Sequence, residues 1–187
     1  MAISDEDRAT LLKLARQSVA AAVGGGAAAE SAKSAAKGEG ALTQRRGCFV
    51  TLTNAGRLRG CIGTFEPRKP LAEQIIEMAG AAAHDPRFTF DPVTPAEVDE
   101  LTIQVSVLSE LEEIADPLDI ELGVHGIYIV SGGGPSGCFL PEVATDAGWG
   151  KEEFLSQCCS GKAGLSPDAW RDGTAKVYTF TTEKFSD

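Results

Sequence analysis

A chain of 187 residues with 17 Lys and Arg against 27 Asp and Glu carries a formal charge of −10. That excludes a general nucleic-acid binder, which needs a basic face to displace phosphate counterions. Apolar residues make up 43% and charged residues 24%, so the chain can bury a core as one domain or two small lobes without disulfides or a metal.

In chain order, the acidic start Ser4-Asp5-Glu6-Asp7 lacks the basic-then-apolar pattern of a secretory signal. It reads instead as the capped first turn of a helix over 4–23, with Leu11, Leu12, Ala15, Val19, Ala22 and Val23 as the apolar stripe. Gly24-Gly25-Gly26 stops that helix. Residues 24–41 are expected to form a flexible Gly/Ala-rich loop, with a weak helix over 27–37 as the one alternative. Cys48–Thr53 and Arg57–Thr64 predict two strands joined by a turn at Asn54-Ala55-Gly56. Pro70 suits the first position of a helix whose buried stripe is Leu71, Ile75, Met78/Ala79 and Ala82. Asp85-Pro86 ends it, because the residue before proline avoids the helical region. Thr94-Pro95-Ala96-Glu97 is a capping-box sequence.

Strict alternation over Leu101–Val107 marks the clearest strand. Gly126–Ser131 and Gly137–Leu140 predict two more, joined by Gly132-Gly133-Gly134-Pro135-Ser136. Those glycines lack the strand and helix context of a phosphate loop and read as a hairpin connection. A helix is expected over 150–160, a helical turn at Ser166-Pro167-Asp168, and a closing strand over Ala175–Thr182. Helices, hairpins and no regular βαβ repeat imply an α+β fold, with a mainly antiparallel sheet and flanking helices. The whole of 1–187 reads as a single domain. No run reaches the roughly 18 apolar residues of a membrane span. Five cysteines without a CxxC pair or a Cys/His series predict no metal site and point to reduced thiols in a cytoplasm.

The chemistry concentrates in Leu58-Arg59-Gly60-Cys61-Ile62-Gly63-Thr64-Phe65. Residues two apart on a strand share a face, which would put Arg57, Arg59, Cys61 and Gly63 together. A thiol among guanidinium groups is a candidate nucleophile, and flanking glycines let a ligand approach closely. The alternative is a buried cysteine on an ordinary hairpin. Six basic residues between Gln44 and Pro70 face one acid, whereas Phe88–Gly150 holds no Lys or Arg. That distribution either creates a positive cleft for a small anion or neutralises itself across the surface. His84 sits where a cation favours a helix C-terminus. His125, in Gly123-Val124-His125-Gly126, is either a base or thiolate partner or a turn-stabilising residue. Glu142, an acid among apolar neighbours, pairs with Arg59 or Arg87 or faces a site. Trp149, Trp170 and the vicinal Cys158-Cys159 are expected in the core.

Leu58–Phe65 resembles the signature segment of the AMME-chromosomal-region domain family, also called AmmeMemoRadiSam system protein A. The likeness continues in order through Arg46–Leu52, Asp85-Pro86-Arg87-Phe88, Val105–Leu108, Gly123–Ile127, Leu140-Pro141-Glu142-Val143-Ala144, Gly148-Trp149, Phe154-Leu155 and Lys162–Leu165. The stretch 24–41 is longer than the family's usual connection. The resemblance implies two unequal lobes around an antiparallel sheet and puts the signature cysteine at Cys61. It implies no defined reaction and no known cofactor. Its context implies a Memo-type protein and a radical S-adenosylmethionine enzyme as partners.

Two functions follow. In the first, a cysteine-dependent enzyme acts on a small anionic or carbonyl substrate. Cys61 and His125 would be catalytic, and Arg59, Gly60, Gly63, Thr64, Asp85, Arg87 and Glu142 would form the substrate contacts. In the second, a non-catalytic binding or adaptor domain serves those partners and Cys61 merely packs.

Overall fold

The computed structural model describes residues 3–24, 40–65 and 67–187. The chain divides into two compact units, one formed by residues up to Leu108 together with Glu183–Asp187, the other by Ser109–Thr182. Each has its own four-stranded antiparallel sheet and its own apolar core, so the fold is α+β, as the pattern implied, with two lobes of unequal size, as the resemblance implied.

In the first unit, α1 (Asp5–Gly24) begins where the Ser4 hydroxyl accepts the Asp7 N–H at 3.1 Å. Its stripe of Leu11, Leu14, Ala15, Ser18 and Val19 is buried and packs on α2 (Leu71–Ala82). The two helices touch closely where Ser18 Oγ donates to the Ile76 carbonyl at 2.7 Å, opposite Gly80, whose missing side chain leaves the room. Pro70 lies one residue outside α2, at its N-cap. The end of the expected loop is ordered: Gly40–Thr43 form a 3-10 turn that buries Ala41 and Leu42. The rest of that expectation, the weak helix over 27–37 included, falls outside the described residues.

The first sheet runs in the order β2 (Arg57–Thr64), β1 (Cys48–Asn54), β3 (Leu101–Leu108), β8 (Thr182–Ser186). Period-2 alternation directs Cys48, Val50 and Leu52 of β1 and Ile103, Val105 and Val107 of β3 onto the helices, all fully buried. Each large apolar side chain so buried contributes about 1.5–3 kcal/mol. The opposite face carries Phe49, Thr51, Thr53, Thr102 and Gln104, none of them fully buried, and Ser106, which is buried. The β1–β2 hairpin turns on Ala55 and Gly56, both at positive φ (47° and 79°), the conformation a two-residue hairpin loop requires.

The second unit orders its strands β4 (Glu112–Glu113), β7 (Lys176–Phe180), β5 (Gly126–Val130), β6 (Ser136–Phe139). Ile127, Ile129 and Val177 pack on α4 (Lys151–Gly161), which buries Phe154, Leu155, Cys158 and Cys159. The Phe139 ring stacks on Phe154 at 5.6 Å. Trp170 is buried and donates from Nε1 to Ser156 Oγ at 3.0 Å. The short helix α3 (Glu142–Ala147), unforeseen in the sequence, stops at Gly148 in the left-handed region.

Two expectations fail here. Ser166-Pro167-Asp168 makes turns and no helix. The single closing strand is two strands: β7 belongs to the second sheet and β8 to the first, with Thr181 between them. At that break Thr181 and Ser109 hydrogen-bond mutually, Ser109 N–H to the Thr181 carbonyl at 2.9 Å and Thr181 N–H to Ser109 Oγ at 3.0 Å. Among the described residues, no helix is long and apolar enough to cross a membrane.

Candidate functional site

β2 is an edge strand, and its register is broken. Thr51 pairs with Cys61 and Leu52 with Gly60, but Thr53 pairs with Leu58, leaving Arg59 as an extra residue. Such a bulge breaks the alternation of side chains. Gly60 falls opposite the buried Leu52, on the helix side. Cys61 and Gly63 fall opposite Thr51 and Phe49, on the open face. Arg57 pairs with Asn54, on the helix side. The expectation that Arg57, Arg59 and Cys61 share a face is therefore overturned: one inserted residue sends the two arginines away from the thiol.

Arg59 is 5% exposed and its donors are committed. Nε and Nη2 donate to Glu97 at 3.2 and 2.9 Å, Nη1 to the Asp91 carboxylate and carbonyl at 3.1 Å each, and Nη2 also to the Pro92 carbonyl at 3.1 Å. The Glu97 hydrogen bond raises the Arg59 pKa further, and the same bond lowers that of Glu97. Arg57 joins through Asp91. Asn54, Ala55, Arg57, Arg59, Asp91 and Glu97 line a depression of about 360 Å³. Three further cations of the basic segment are also engaged: Arg45 with the Arg68 carbonyl, Arg46 with Glu183 and the Leu108 carbonyl, and Lys69 with Glu77. Acids of the 88–150 stretch neutralise Arg57 and Arg59, as the second sequence reading has it, whereas Arg46 and Lys69 pair with acids outside that stretch.

A different pair surrounds Cys61. Its N–H donates to Asp85 Oδ2 at 2.9 Å, and its carbonyl accepts from Arg87 Nη2 at 3.1 Å. Both groups point off the open edge of the sheet, so the two side chains stand where another strand would pair. Asp85 reaches this edge because α2 ends at Ala82 and Asp85 caps the 3-10 turn Pro86–Phe88, accepting the Arg87 N–H at 3.0 Å. Arg87 closes on Asp85 with a fork, Nε to Oδ1 at 3.0 Å and Nη2 to Oδ2 at 2.6 Å. Hydrogen bonds from Arg87 hold the buried Asp85 carboxyl down at about 2, against the opposing effect of burial.

With the backbone of Cys61 turned outward, Thr51 and Cys61 form the closer type of cross-strand pair. The Thr51 hydroxyl donates to Cys61 Sγ at 3.2 Å. The half-buried thiol is thus oriented from β1, beside an arginine the sequence placed 26 residues away. The other four cysteines include the fully buried Cys48, Cys158 and Cys159; burial pushes the Cys48 thiol up to about 12.

The glycines are explained by close approach. A methyl at Gly60 would overlap the Ala82 carbonyl oxygen, and one at Gly63 the Phe49 ring. Thr64 pairs with Cys48 at the end of β2. His125 lies in the second unit, where its Nδ1 accepts the Glu121 N–H at 3.1 Å and its own N–H donates to the Glu121 carbonyl at 2.8 Å. That is the turn-stabilising alternative. Glu142 opens α3 in the same unit. His84 was expected to meet the C-terminus of its own helix; its Nε2 lies instead 3.2 Å from the Ala22 carbonyl, near the end of α1. Sequence reasoning missed Thr51, Asp91 and Glu97 as partners. For Glu97 the capping box was the available signal, and its carboxylate does accept the Thr94 N–H at 2.9 Å. Among the described residues no three His, Cys, Asp or Glu side chains group to hold a metal.

Comparison with known proteins agrees with this architecture. The AMMECR1 family model matches residues 12–185. A protein of Methanothermobacter thermautotrophicus is 48% identical over 151 residues, covering 77% of each chain. One from Thermococcus gammatolerans is 42% identical over 196 residues, covering 99% of this chain and 92% of its own. The crystal structure of the uncharacterised protein PH0010 from Pyrococcus horikoshii superposes with a TM-score of 0.86 at 38% identity, covering 99% of this chain and 93% of that one.

Proposed function

The chain belongs to the AMMECR1 family, and on that premise we propose that it is a cytoplasmic cysteine-dependent enzyme for a small anionic or carbonyl compound. Cys61 is the nucleophile or thiol carrier, and Arg87 holds an oxygen of the substrate. One observation carries the reading: Cys61 Sγ is presented on the open sheet face by the Thr51 hydroxyl, while its own peptide group is fixed by Asp85 and Arg87. A nucleophile needs that definition of position. The partners, by family resemblance, are a Memo-type protein and a radical S-adenosylmethionine enzyme. The test is alkylation of the folded protein by iodoacetamide, read peptide by peptide by mass spectrometry. Cys61 is expected to label in the folded state while Cys48 waits for unfolding. Labelling of Cys61 only on unfolding would overturn the reading.

A second reading, a binding or adaptor domain, is favoured by a different observation. Among the described residues the one hydrogen bond at Cys61 Sγ comes from a hydroxyl, with no imidazole or carboxylate to take the thiol proton. Under that reading, association with the Memo-type or radical enzyme depends on Arg87 and ignores Cys61→Ser.

A further inference from the structure

We propose that the group recognised beside Cys61 is a carboxylate, received by Nη1 of Arg87 in an orientation that Asp85 sets. The inference rests on the reading of Cys61 as a reactive thiol and adds the class of compound it meets.

A guanidinium has five N–H donors in a rigid plane. On Arg87, Nε and Nη2 grip Asp85, and Nη2 also reaches the Cys61 carbonyl. Among the described residues no hydrogen bond uses Nη1. The side chain is 57% exposed, whereas that of Asp85 is 1% exposed. One half of the guanidinium is thus clamped by a buried anion, and the other half faces water. The clamp prevents rotation, so a ligand meeting Nη1 does not have to order the side chain first.

Position and charge narrow the ligand. Nη2 is 3.1 Å from the carbonyl oxygen of the residue that carries the thiol, so a compound held at Nη1 is brought to the neighbourhood of that residue. Asp85 already cancels the Arg87 charge, and Arg57 and Arg59 are paired with Asp91 and Glu97 on the other face. A phosphate dianion meets no surplus positive charge there. A monocarboxylate accepts a single charge-assisted N–H from Nη1 and leaves its other oxygen to water. The compound class is therefore a small monocarboxylic acid whose electrophilic carbon adjoins its carboxylate, as in a 2-oxo acid. The sulfur would add to that carbon, forming a C–S bond. The C=O π pair would move to oxygen, which takes up the proton the thiol gives up. No oxidant or reductant is needed.

The test compares iodoacetate with iodoacetamide. Both transfer a two-carbon group to sulfur with loss of iodide, and they differ in the carboxylate. Rates at the Cys61 peptide are measured on the folded full chain, with glutathione as the reference thiol. The iodoacetate-to-iodoacetamide ratio is expected to exceed the reference on the order of tenfold, the size of one charge-assisted contact at a partly exposed site. Arg87→Gln should return it to the reference value, and Arg87→Lys, which keeps the charge without the fork, should restore only part. Acetate should slow iodoacetamide at Cys61 and phosphate should not. A ratio equal to the reference, a ratio unmoved by Arg87→Gln, or protection by phosphate in place of acetate would each overturn the carboxylate proposal while leaving the thiol reading intact. A Cys61 inert to both reagents in the folded protein would overturn the thiol reading itself.

Discussion

Replacing Asp85 by Asn perturbs the site without changing its shape, and its cost can be worked out in two ways. The first uses linkage. The carboxyl sits at about 2, against an ordinary value of 3.8. At 1.36 kcal/mol per unit this corresponds to about 2 kcal/mol of stability. The second counts partners. Asp85 accepts from the Cys61 and Arg87 amides and from Arg87 Nε and Nη2. An asparagine amide can accept at one end only and turns its NH₂ toward a donor. Removing one partner of a buried pair costs about 3–5 kcal/mol when the other stays buried, but Arg87 is more than half exposed and can be rehydrated. Both routes converge on about 2–3 kcal/mol. Urea unfolding of wild type and Asp85→Asn from pH 2 to 7 measures it. Because the folded carboxyl titrates below the unfolded one, its contribution is complete above the unfolded value. It is lost as the pH falls from 3.8 toward 2. The gap between the two proteins should therefore be constant near neutrality and close in acid. A gap that persists unchanged at about pH 2 would refute the electrostatic account and leave shape alone as the cause.

Three further outcomes are expected. Gly60→Ala should destabilise by at least about 3 kcal/mol, the upper end of overpacking costs, because the obstacle is the Ala82 backbone and cannot swing aside; thermal unfolding reads it, and a change under about 1 kcal/mol would contradict the close approach. Arg59→Met should cost about 3 kcal/mol by leaving the Pro92 carbonyl without its donor and the Glu97 carboxylate without its cation, and adding Glu97→Gln should recover part of that in a double-mutant cycle. Asp187→Ala should cost about 1–2 kcal/mol and speed hydrogen exchange at the Ile103 amide, since that carboxylate accepts Arg16 Nε at 2.9 Å and the Ile103 N–H at 2.9 Å.

The elements that were legible in the sequence are those whose periodicity is local. Leu101–Val107 alternates because one face is buried, and it is β3 to within a residue. The stripe of Leu71, Ile75, Ala79 and Ala82 is the buried side of α2. What was not legible depends on pairing. Nothing local in Arg57–Thr64 announces that Arg59 is skipped by β1, yet that slip decides which residues share the thiol's face. The two-sheet division of Ala175–Thr182 depends likewise on Thr181 meeting Ser109, 72 positions distant. At the site, Cys61, Asp85 and Arg87 were identified and are brought together. The basic cluster left two readings open, because the acids that fold onto Arg57 and Arg59, Asp91 and Glu97, are remote in sequence.

The placement of β8 bears on how the chain reaches its native state. Strand β8 returns to the first sheet only after all of Ser109–Thr182 has intervened. Closing a flexible loop of that length costs several kcal/mol of chain entropy before any pairing rewards it. The hydrogen bonds between Ser109 and Thr181 change the count, because a folded second unit holds its own two ends side by side. The effective loop shrinks to a few residues. The second unit then acts as an entropic splint: once it has formed, the fourth strand of the first sheet is delivered to β3 almost as cheaply as a hairpin partner. A mutation in the core of the second unit, at Phe154 for instance, would slow completion of a sheet to which it contributes no strand.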